Sequence, residues 1–516
     1  MPRSSGFTAE LVQKMECMTD LSRCSCLGEK NATSASYSVK QERQAARALL
    51  GHLNKVEGTL PVAFLEPFTS LLLSNDLEVQ RNTSLSLANL LFNNKVSAEQ
   101  VIETEMLVTL LETLQSGDPT VQWNSCQCLA LLASSDSNRE AIVLADGVIP
   151  LLVLSKSYDP LVQQNAVWAL SNLTLSERTM RVICQEGAIP VLVLLLQSSN
   201  YEVQFYSCSA LGNIATVPEN HPTMLAFGNH FLLKSLLTLM SSAVEKNASQ
   251  ACRCLRILSG SVGAQEQLIY LDCVLPLKAM LCSPSLSLAE AAITLLSEIS
   301  SQHPNRESLV NEDLLLQVLG QMLLSRGSSP TIIKHSVVTI TNLSSHWKAQ
   351  QAVMNSECVR GLLQTLVSIV TSEETILCII SCLHHLTSWD SLQPHLAVQM
   401  TPEHVSCLVK FSAQRENAEL SFTSASIITK LNRNDHFITL LKPHYATILE
   451  YLLMFLKNQE VRFQQLGIVT LCDLKKDREF SVVMNGSGLN EQLKRVHEQT
   501  EQTRLLLLMI QTSRST

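Results

Sequence analysis

Four asparagines occupy one position of a repeated sequence pattern and could bind the backbone of an extended peptide. They are Asn89, Asn172, Asn213 and Asn342. An asparagine side chain offers both a hydrogen-bond donor and an acceptor, so a row of them can hold a peptide backbone in register. The alternative is that each amide bonds a neighbouring helix end and stabilises the stack of helices. The sequence pattern leaves both roles open.

No other arrangement of residues predicts catalysis or a metal site. The chain has no P-loop, no Gly-x-Ser-x-Gly, no His-Glu-x-x-His and no Cys-x-x-Cys motif. Cysteines two apart on a helix diverge and cannot chelate one ion together, which applies to Cys126 with Cys128 and to Cys252 with Cys254. Four histidines lack acidic or thiol partners at ligand spacing, namely His384, His385, His395 and His404. We therefore expect a protein without enzymatic activity, metal or cofactor.

The asparagines must be positioned by helices, because the residues around them have helical spacing. In Val162–Leu173 the apolar residues recur at steps of three and four and form one stripe, while Trp168 and Asn172 share another face. Related stretches begin Val79-Gln-Arg-Asn, Val121-Gln-Trp-Asn and Val203-Gln-Phe-Tyr. The last-turn positions Asn89, Leu131, Asn172 and Asn213 are 42, 41 and 41 residues apart. A period near 41 residues indicates a repeat protein.

Each repeat divides into a short helix, a second helix and a long third helix that ends at the asparagine position. The glycines of the joints Asp146–Pro150 and Glu186–Pro190 are expected to take left-handed turns, and the prolines fit the first turn of the following helix. Asp118 and Asp159, each followed by proline, are predicted N-caps of third helices. Later repeats keep a similar spacing. The position equivalent to these asparagines is occupied there by Ile257, Glu298, Asn342, His385, Lys430 and Asp473. The chain thus contains ten predicted third helices.

Composition favours an all-helical array in a reducing compartment. Hydrophobic residues make up 46% of the 516 residues and aromatic residues only 5%, which suits stacked helices. The formal charge of −8 comes without any block of five Lys or Arg residues, so we expect no nucleic-acid partner. The 16 cysteines follow no disulfide framework and suit the cytosol. No signal peptide is evident, and the longest apolar runs, such as Ile189–Leu196, are too short to span a bilayer.

Three segments are expected along the chain. Residues 1–38 are polar, rich in Ser, Thr and Cys, and form a flexible tail that contains Cys24 and Cys26. Residues 39–485 form the repeat array. Residues 486–516 open with Gly486-Ser-Gly488 and are predicted to form one helix from Leu489 to about Ile510, as a terminal cap or a partly free tail.

The pattern Val-Gln-x-Asn-Ala-x-x-Ala-Leu-x-Asn-Leu, preceded by Gly-Ala-Ile-Pro, resembles the armadillo repeat over roughly residues 39–480. Cys24–Leu27 with the later Glu42–Gly51, and Phe455–Phe463 near the other end, are similar to the fungal vacuolar armadillo family, vacuolar protein eight. This resemblance implies an all-α, right-handed superhelical solenoid of about ten three-helix repeats, with the asparagine position facing a concave groove. It also implies a non-enzymatic adaptor for protein partners, with no small-molecule substrate, on the cytosolic face of a vacuolar or lysosomal membrane. The family's roles are organelle inheritance, membrane contact or fusion, and autophagy.

The resemblance also singles out residues for partner binding. The expected contacts are Trp168, Asn172 and Asn213, with Asn89, Arg256 and Asn342 as outlying contacts. Arg256 matches an arginine that holds partner peptides in the vacuolar family, whereas Ser297 and Thr341 replace the next two. A solvated arginine on a helix face is the alternative for Arg256.

Two soluble adaptors are alternatives to the vacuolar interpretation. Nuclear import adaptors of this fold carry Trp-x-x-x-Asn in several successive repeats, with tryptophans that hold lysine stems. Here Trp168 is the single tryptophan at that position, so an import receptor is the weaker interpretation. A catenin-like signalling adaptor would favour a basic groove, which the sequence does not show.

A membrane anchor is expected in the N-terminal tail. Relatives with a similar tail begin Met-Gly and carry a myristoyl chain beside palmitoylated cysteines, but here Pro2 follows Met1, which excludes myristoylation from this start. Cys24 and Cys26 remain open to S-palmitoylation, and two acyl chains suffice for stable attachment. The alternatives are two free thiols in a soluble protein, or a different first exon that supplies Met-Gly.

Overall fold

The structure is a computed structural model that describes residues 40–512, apart from 41–42, 45, 52, 54, 56–57, 63–64, 105, 311–313, 326–328, 347, 369–371 and 498. The described residues are helices and their connections, without a strand. None of the helices described is long and apolar enough to cross a membrane. The chain divides into two compact units, of which the first ends at Ser261 and the second begins at Val262. Cys24 and Cys26 lie outside the described residues.

Ten third helices, labelled α1–α10 in chain order, contain the ten predicted last-turn positions. In the first unit they are α1 (Leu77–Phe92), α2 (Pro119–Leu132), α3 (Pro160–Leu173), α4 (Tyr201–Ile214) and α5 (Glu245–Leu258). In the second unit they are α6 (Leu286–Ser301), α7 (Pro330–Ser344), α8 (Glu373–Leu386), α9 (Ala418–Leu431) and α10 (Val461–Leu474). The repeat spacing predicted from the sequence is therefore confirmed within the described part of the chain.

Shorter helices precede, connect and follow the third helices. Those of the first unit are Glu66–Leu72, Ala98–Glu103, Met106–Thr113, Asp136–Leu144, Val148–Leu154, Glu177–Gln185, Ala188–Leu195, the 3-10 helix Pro218–Asn220, His221–Ala226 and Phe231–Met240. Those of the second unit are Val262–Tyr270, Val274–Leu281, His303–Val310, Leu315–Leu324, Ala349–Met354, Cys358–Leu366, Gln393–Gln399, Pro402–Ser412, Asp435–Leu441, the 3-10 helix Lys442–His444, Tyr445–Lys457, Arg478–Asn485, Leu489–Lys494 and Glu501–Thr512.

A recurring Ser-x-Asp or Ser-x-Asn segment starts the first four third helices, α1–α4. The Asp118 carboxylate accepts from the N–H groups of Thr120 and Val121 at 3.0 and 3.1 Å, and the Asp118 N–H donates to Ser116 Oγ at 3.2 Å. The same double turn occurs at Asp76, Asp159 and Asn200. The side-chain oxygen satisfies N–H groups that have no partner within the helix. The predicted N-caps Asp118 and Asp159 are confirmed.

The valine and the glutamine of the repeated Val-Gln pair stabilise the third helix in different ways. The valine is fully buried in each of the first four third helices, at Val79, Val121, Val162 and Val203. The glutamine Nε2 donates to the carbonyl six residues earlier, for example from Gln122 to Ser116 at 2.7 Å and from Gln204 to Ser198 at 2.8 Å. The glutamine therefore fixes the connection into the third helix, and the valine anchors that helix in the core.

The two Gly-x-x-Pro joints differ in which residue takes the left-handed turn. Gly187 has φ of +81°, as expected, but Gly147 has φ of −72° and Asp146 takes the left-handed conformation instead, with φ of +59°. The expectation for Gly147 was therefore wrong. Glycine is needed there for close packing, because an added Cβ would lie 2.8 Å from the Ile142 side chain.

The core of the best-formed repeat is the apolar stripe of α3. Val162, Ala166, Ala169, Leu170 and Leu173 are all fully buried. This stripe packs between α2 and α4, so each repeat is completed by its neighbours. The cysteine pairs on α2 and α5 are buried as well, and burial raises the pKa of the Cys126 thiol. These thiols act as small apolar side chains in the core.

The C-terminal segment forms two helices, Leu489–Lys494 and Glu501–Thr512, so the expectation of a single helix from Leu489 to Ile510 was wrong. Thr500 starts the second of them, because its hydroxyl accepts from the Thr503 N–H at 3.2 Å. The Gln465 amide of α10 donates to the hydroxyls of Thr500 and Thr503, each at 3.0 Å. These contacts hold the last helix against α10.

Candidate functional site

The third helices of the first unit lie side by side and share one partly exposed face. Residues in the last turn of a helix and those four positions earlier are neighbours on its surface. The last-turn residues are Asn89, Leu131, Asn172, Asn213 and Ile257, and those four positions earlier are Leu85, Gln127, Trp168, Ser209 and Arg253. We call these ten residues the α1–α5 face. All except Asn213 are at least partly exposed.

Two asparagines of this face donate hydrogen bonds to the preceding repeat. Asn172 Nδ2 donates to the Ala130 carbonyl at 2.8 Å, near the end of α2. Asn213 is 7% exposed, and its Nδ2 donates to the Thr174 hydroxyl at 3.0 Å, at the end of α3. Their Oδ1 atoms accept no hydrogen bond from the described residues. The amide nitrogens therefore tie successive repeats together.

The other two asparagines are placed differently. Asn89 is exposed, and its backbone carbonyl accepts from the Asn93 amide at 2.8 Å. Asn342 belongs to the second unit, where its Nδ2 donates to the Ser300 hydroxyl at 3.0 Å. The stacking role that the sequence left open is thus observed at Asn172, Asn213 and Asn342. Contact with a partner remains a prediction for all four.

Trp168 belongs to an aromatic cluster on α3 and α4, and a lysine of α5 lies next to this cluster. It is half-buried and stacks on Tyr206 of α4, with ring centroids 5.9 Å apart and an angle of 22° between the rings. Phe205 meets Tyr206 edge-on, and Lys246 Nζ lies 5.0 Å from the centre of the Phe205 ring. Burial raises the pKa of Tyr206, so its hydroxyl stays neutral near neutral pH. An aromatic surface therefore adjoins the α1–α5 face at Trp168, one helical turn before Asn172.

A cation of α5 lies against α4. Arg253 is half-buried, and a Cβ added at Gly212 would lie 3.0 Å from its Nη1 atom. Gly212 thus leaves room for the guanidinium beside α4. Arg256, by contrast, is exposed in the last turn of α5, as expected of a solvated arginine, and its role in partner binding is a prediction.

Tyr206 and Arg253 were not among the sequence-predicted site residues. A signal for Tyr206 exists, because Val203-Gln-Phe-Tyr carries tyrosine where the earlier repeats carry asparagine. Arg253 occupies the position equivalent to Trp168, but only the structure shows that it lies against Gly212.

The second unit carries a cation among its last-turn residues. Lys430 Nζ donates to the Ser388 hydroxyl at 3.0 Å and lies 3.5 Å from His384 Nε2. Burial, aided by the nearby Lys430, lowers the pKa of His384 to about 4, and burial also lowers the pKa of Lys430. The His384 Nε2 atom forms a hydrogen bond with the Ser426 hydroxyl at 2.9 Å. Within the described residues, no group of three or more His, Cys, Asp or Glu side chains is arranged to hold a metal ion.

The sequence and fold are similar to those of armadillo proteins. The profile of the armadillo/beta-catenin-like repeat family matches residues 135–175 and 181–216. Vacuolar protein 8 of Eremothecium gossypii is 30% identical over 121 residues, and Vacuolar protein 8 of Saccharomyces cerevisiae is 32% identical over 119 residues. Each alignment spans 22% of this chain and 20% of the relative.

Solved structures show the same fold. An engineered protein from the Northeast Structural Genomics Consortium superposes with a TM-score of 0.67 at 24% identity, over 81% of this chain and 99% of that one. A structure from work on a conserved phosphorylation switch, which controls the interaction between cadherin and beta-catenin, superposes with a TM-score of 0.71. Its identity is 13%, and 98% of each chain is covered. These likenesses confirm the predicted all-α armadillo fold class.

Proposed function

We infer that this armadillo-repeat protein is an adaptor that binds an extended segment of a partner protein on its α1–α5 face. The observation that carries the proposal is the Trp168–Tyr206 stack, which joins α3 and α4, the two helices that carry Asn172 and Asn213. Stacked, half-exposed rings give contact area with little loss of conformational entropy on binding. The amide oxygens that remain unbonded can accept from the backbone N–H groups of a bound chain.

The chemistry of the face favours a partner segment with apolar and acidic side chains. Trp168 and Tyr206 offer an apolar surface, and Arg253 on the next helix offers a cation. A lysine-rich signal would meet Ser209 and Arg253 where further tryptophans would be needed to hold its lysine stems. The face therefore supports a protein adaptor better than a receptor for basic import signals.

We further propose that the adaptor works on the cytosolic face of a vacuolar or lysosomal membrane, held there by S-acylation of Cys24 and Cys26. The similarity to Vacuolar protein 8 supports this location, although the chain aligns with only a fifth of that protein's length. By the same similarity, the adaptor would take part in organelle inheritance, membrane contact or fusion, or autophagy. A soluble signalling adaptor is the alternative, and it would use the same face without an anchor.

Single substitutions of aromatic residues test the binding face. Trp168→Ala removes one of the two half-buried rings of the stack, whereas Tyr158→Ala removes a tyrosine that is fully exposed and lies outside the face. Tagged wild-type and variant proteins would be isolated from cells, and the co-purifying proteins would be quantified by mass spectrometry. We expect a defined set of partners to be lost with Trp168→Ala and kept with Tyr158→Ala.

Circular dichroism and thermal melting of both variants would confirm that equal amounts of folded protein are compared. If the co-purifying proteins are the same for wild type and Trp168→Ala, the proposed face is wrong. If the partners are lost equally with both variants, binding does not depend on the Trp168–Tyr206 stack.

A further inference from the structure

Two arginines in the second half of α5 have no acidic partner. Arg253 belongs to the α1–α5 face, and Arg256, three positions later, is its neighbour on the surface of the helix. Neither guanidinium forms a hydrogen bond or an ion pair with a described residue. Two like charges at this spacing repel each other, so an anion bound between them would stabilise the protein.

Arg253 differs from the other arginines of limited exposure in the described part of the chain. The guanidinium groups of Arg43, Arg139 and Arg306 donate to a carboxylate or to backbone carbonyls. Arg253 is half-buried like Arg306, but it has no acceptor among the described residues. Its Nη1 atom lies against α4, because a Cβ added at Gly212 would come within 3.0 Å of it. A partly desolvated cation with open donors is unfavourable in the free protein and favours an anionic ligand.

The neighbouring third helices supply no counter-charge. Helices α2 and α3 contain no charged residue, and the C-terminal halves of α1 and α4 contain none either. Glu202, in the first turn of α4, pairs with Lys246 at 2.5 Å. Glu245 lies at the opposite end of α5, about 12 Å from Arg253 along the helix axis. Glu219, which follows α4, is exposed and forms no ion pair with either arginine.

We propose that Arg253 and Arg256 bind a phosphorylated side chain of the partner segment. The proposal rests on the adaptor function and adds that binding at the α1–α5 face depends on phosphorylation of the partner. A phosphate monoester carries nearly two negative charges near neutral pH, whereas an Asp or Glu side chain carries one. Guanidinium groups also bind phosphate oxygens in pairs. One phosphate therefore neutralises both arginines, which a single carboxylate does not.

The fold also limits where the phosphorylated residue lies in the segment. Trp168 is on α3 and Arg253 on α5, with its guanidinium directed towards α4. Packed helix axes are roughly 8–10 Å apart, and an extended chain advances about 3.3 Å per residue. A partner residue that covers Trp168 is therefore expected roughly three to six residues from the phosphorylated one.

A peptide array tests the proposal with the purified full chain. Three series of short peptides would carry phosphoserine, glutamate or serine at a fixed position, with a leucine or an aromatic residue moved stepwise along the remaining positions. Binding of the fluorescently labelled protein would be measured as an affinity for each peptide. We expect phosphoserine peptides to bind at least about tenfold more tightly than serine peptides, with glutamate peptides between them. The tightest binding should occur at the spacing given above.

Substitutions then separate the arginine pair from the rest of the face. Arg253→Gln should remove most of the preference for phosphoserine. Arg253→Lys keeps the charge but loses the fork of donors, so it should weaken the preference, and it serves as the test if the glutamine variant unfolds. Arg415→Gln is the matched control, because Arg415 is exposed in a connection of the second unit and forms no ion pair with a described residue. It should leave all affinities unchanged.

The outcomes distinguish this proposal from the adaptor function itself. Equal affinities for the three series, or an unchanged phosphoserine preference in both Arg253 variants, would overturn the phosphate site and leave the adaptor function in place. An equal loss of preference with Arg415→Gln would also overturn it, because the attraction would then be non-specific. Phosphoserine preference that Arg253→Gln removes while Trp168→Ala leaves all affinities unchanged would support the phosphate site and count against the aromatic stack. No binding of any series would count against both proposals.

Discussion

Replacement of Asn172 by alanine should reveal the structural role of this residue as a loss of stability. The carbonyls of Leu129, Leu131 and Leu132 at the end of α2 accept from backbone N–H groups beyond the helix, whereas the Ala130 carbonyl accepts from Asn172 Nδ2 at 2.8 Å. Ala130 is fully buried. Asn172→Ala therefore leaves a buried helix-end carbonyl without its partner, which should cost about 1–3 kcal/mol.

Asn89→Ala is the matched control for this experiment. Asn89 occupies the same repeat position, but it is exposed, so its replacement should change the free energy of unfolding by less than about 0.5 kcal/mol. Urea unfolding followed by circular dichroism would measure both variants. Equal stability of Asn172→Ala and Asn89→Ala would refute the claim that Asn172 ties two repeats together.

Three further predictions follow from the structure. Leu170→Ala opens a cavity in the core of α3, where Leu170 is fully buried, and should cost roughly 2–5 kcal/mol in urea unfolding; a loss below about 1 kcal/mol would contradict the proposed packing. The hydrogen bond from Arg81 lowers the pKa of Asp118, so the pair stabilises the protein fully above the usual carboxyl pKa of roughly 4 and less as pH falls through the lower folded-state pKa. The stability difference between wild type and Arg81→Gln should therefore shrink below about pH 4, and a constant difference would argue against the ion pair. Replacement of Cys24 and Cys26 by serine should release the protein from membranes in fractionation, as should hydroxylamine treatment of the wild type; a wild type found wholly in the soluble fraction would refute the anchor.

The sequence predicted the parts of the fold that depend on local patterns. The third helices follow from apolar spacing, and the caps at Asp118 and Asp159 follow from the preference of aspartate for the position before a helix. The left-handed turn at Asp146 was missed because glycine is the usual residue for it. The break before Glu501 was missed because no glycine or proline marks it, and the Thr500 cap that starts a new helix is a weak signal.

The candidate site was predictable only in part, because its contacts cross from one repeat to the next. Repeat spacing placed Trp168, Asn172 and Asn213 on adjacent helices, which the structure bears out. The stack of Trp168 on Tyr206 depends on how far α4 is shifted along α3, and no single-repeat pattern contains that shift. The same holds for the donor roles of Asn172 and Asn213, since each acceptor lies about 40 residues earlier in the chain.

Site-specific photo-crosslinking tests the central claim most directly. A benzophenone amino acid would be placed at Ser209, which lies on the α1–α5 face beside the aromatic stack, and in a parallel sample at Tyr158, outside the face. After irradiation in cells, crosslinked partner peptides would be identified by mass spectrometry. The adaptor proposal predicts that Ser209 crosslinks to one continuous segment of a partner protein and that Tyr158 does not. Crosslinks at Tyr158 alone, or none at Ser209 while the partner still co-purifies, would contradict it.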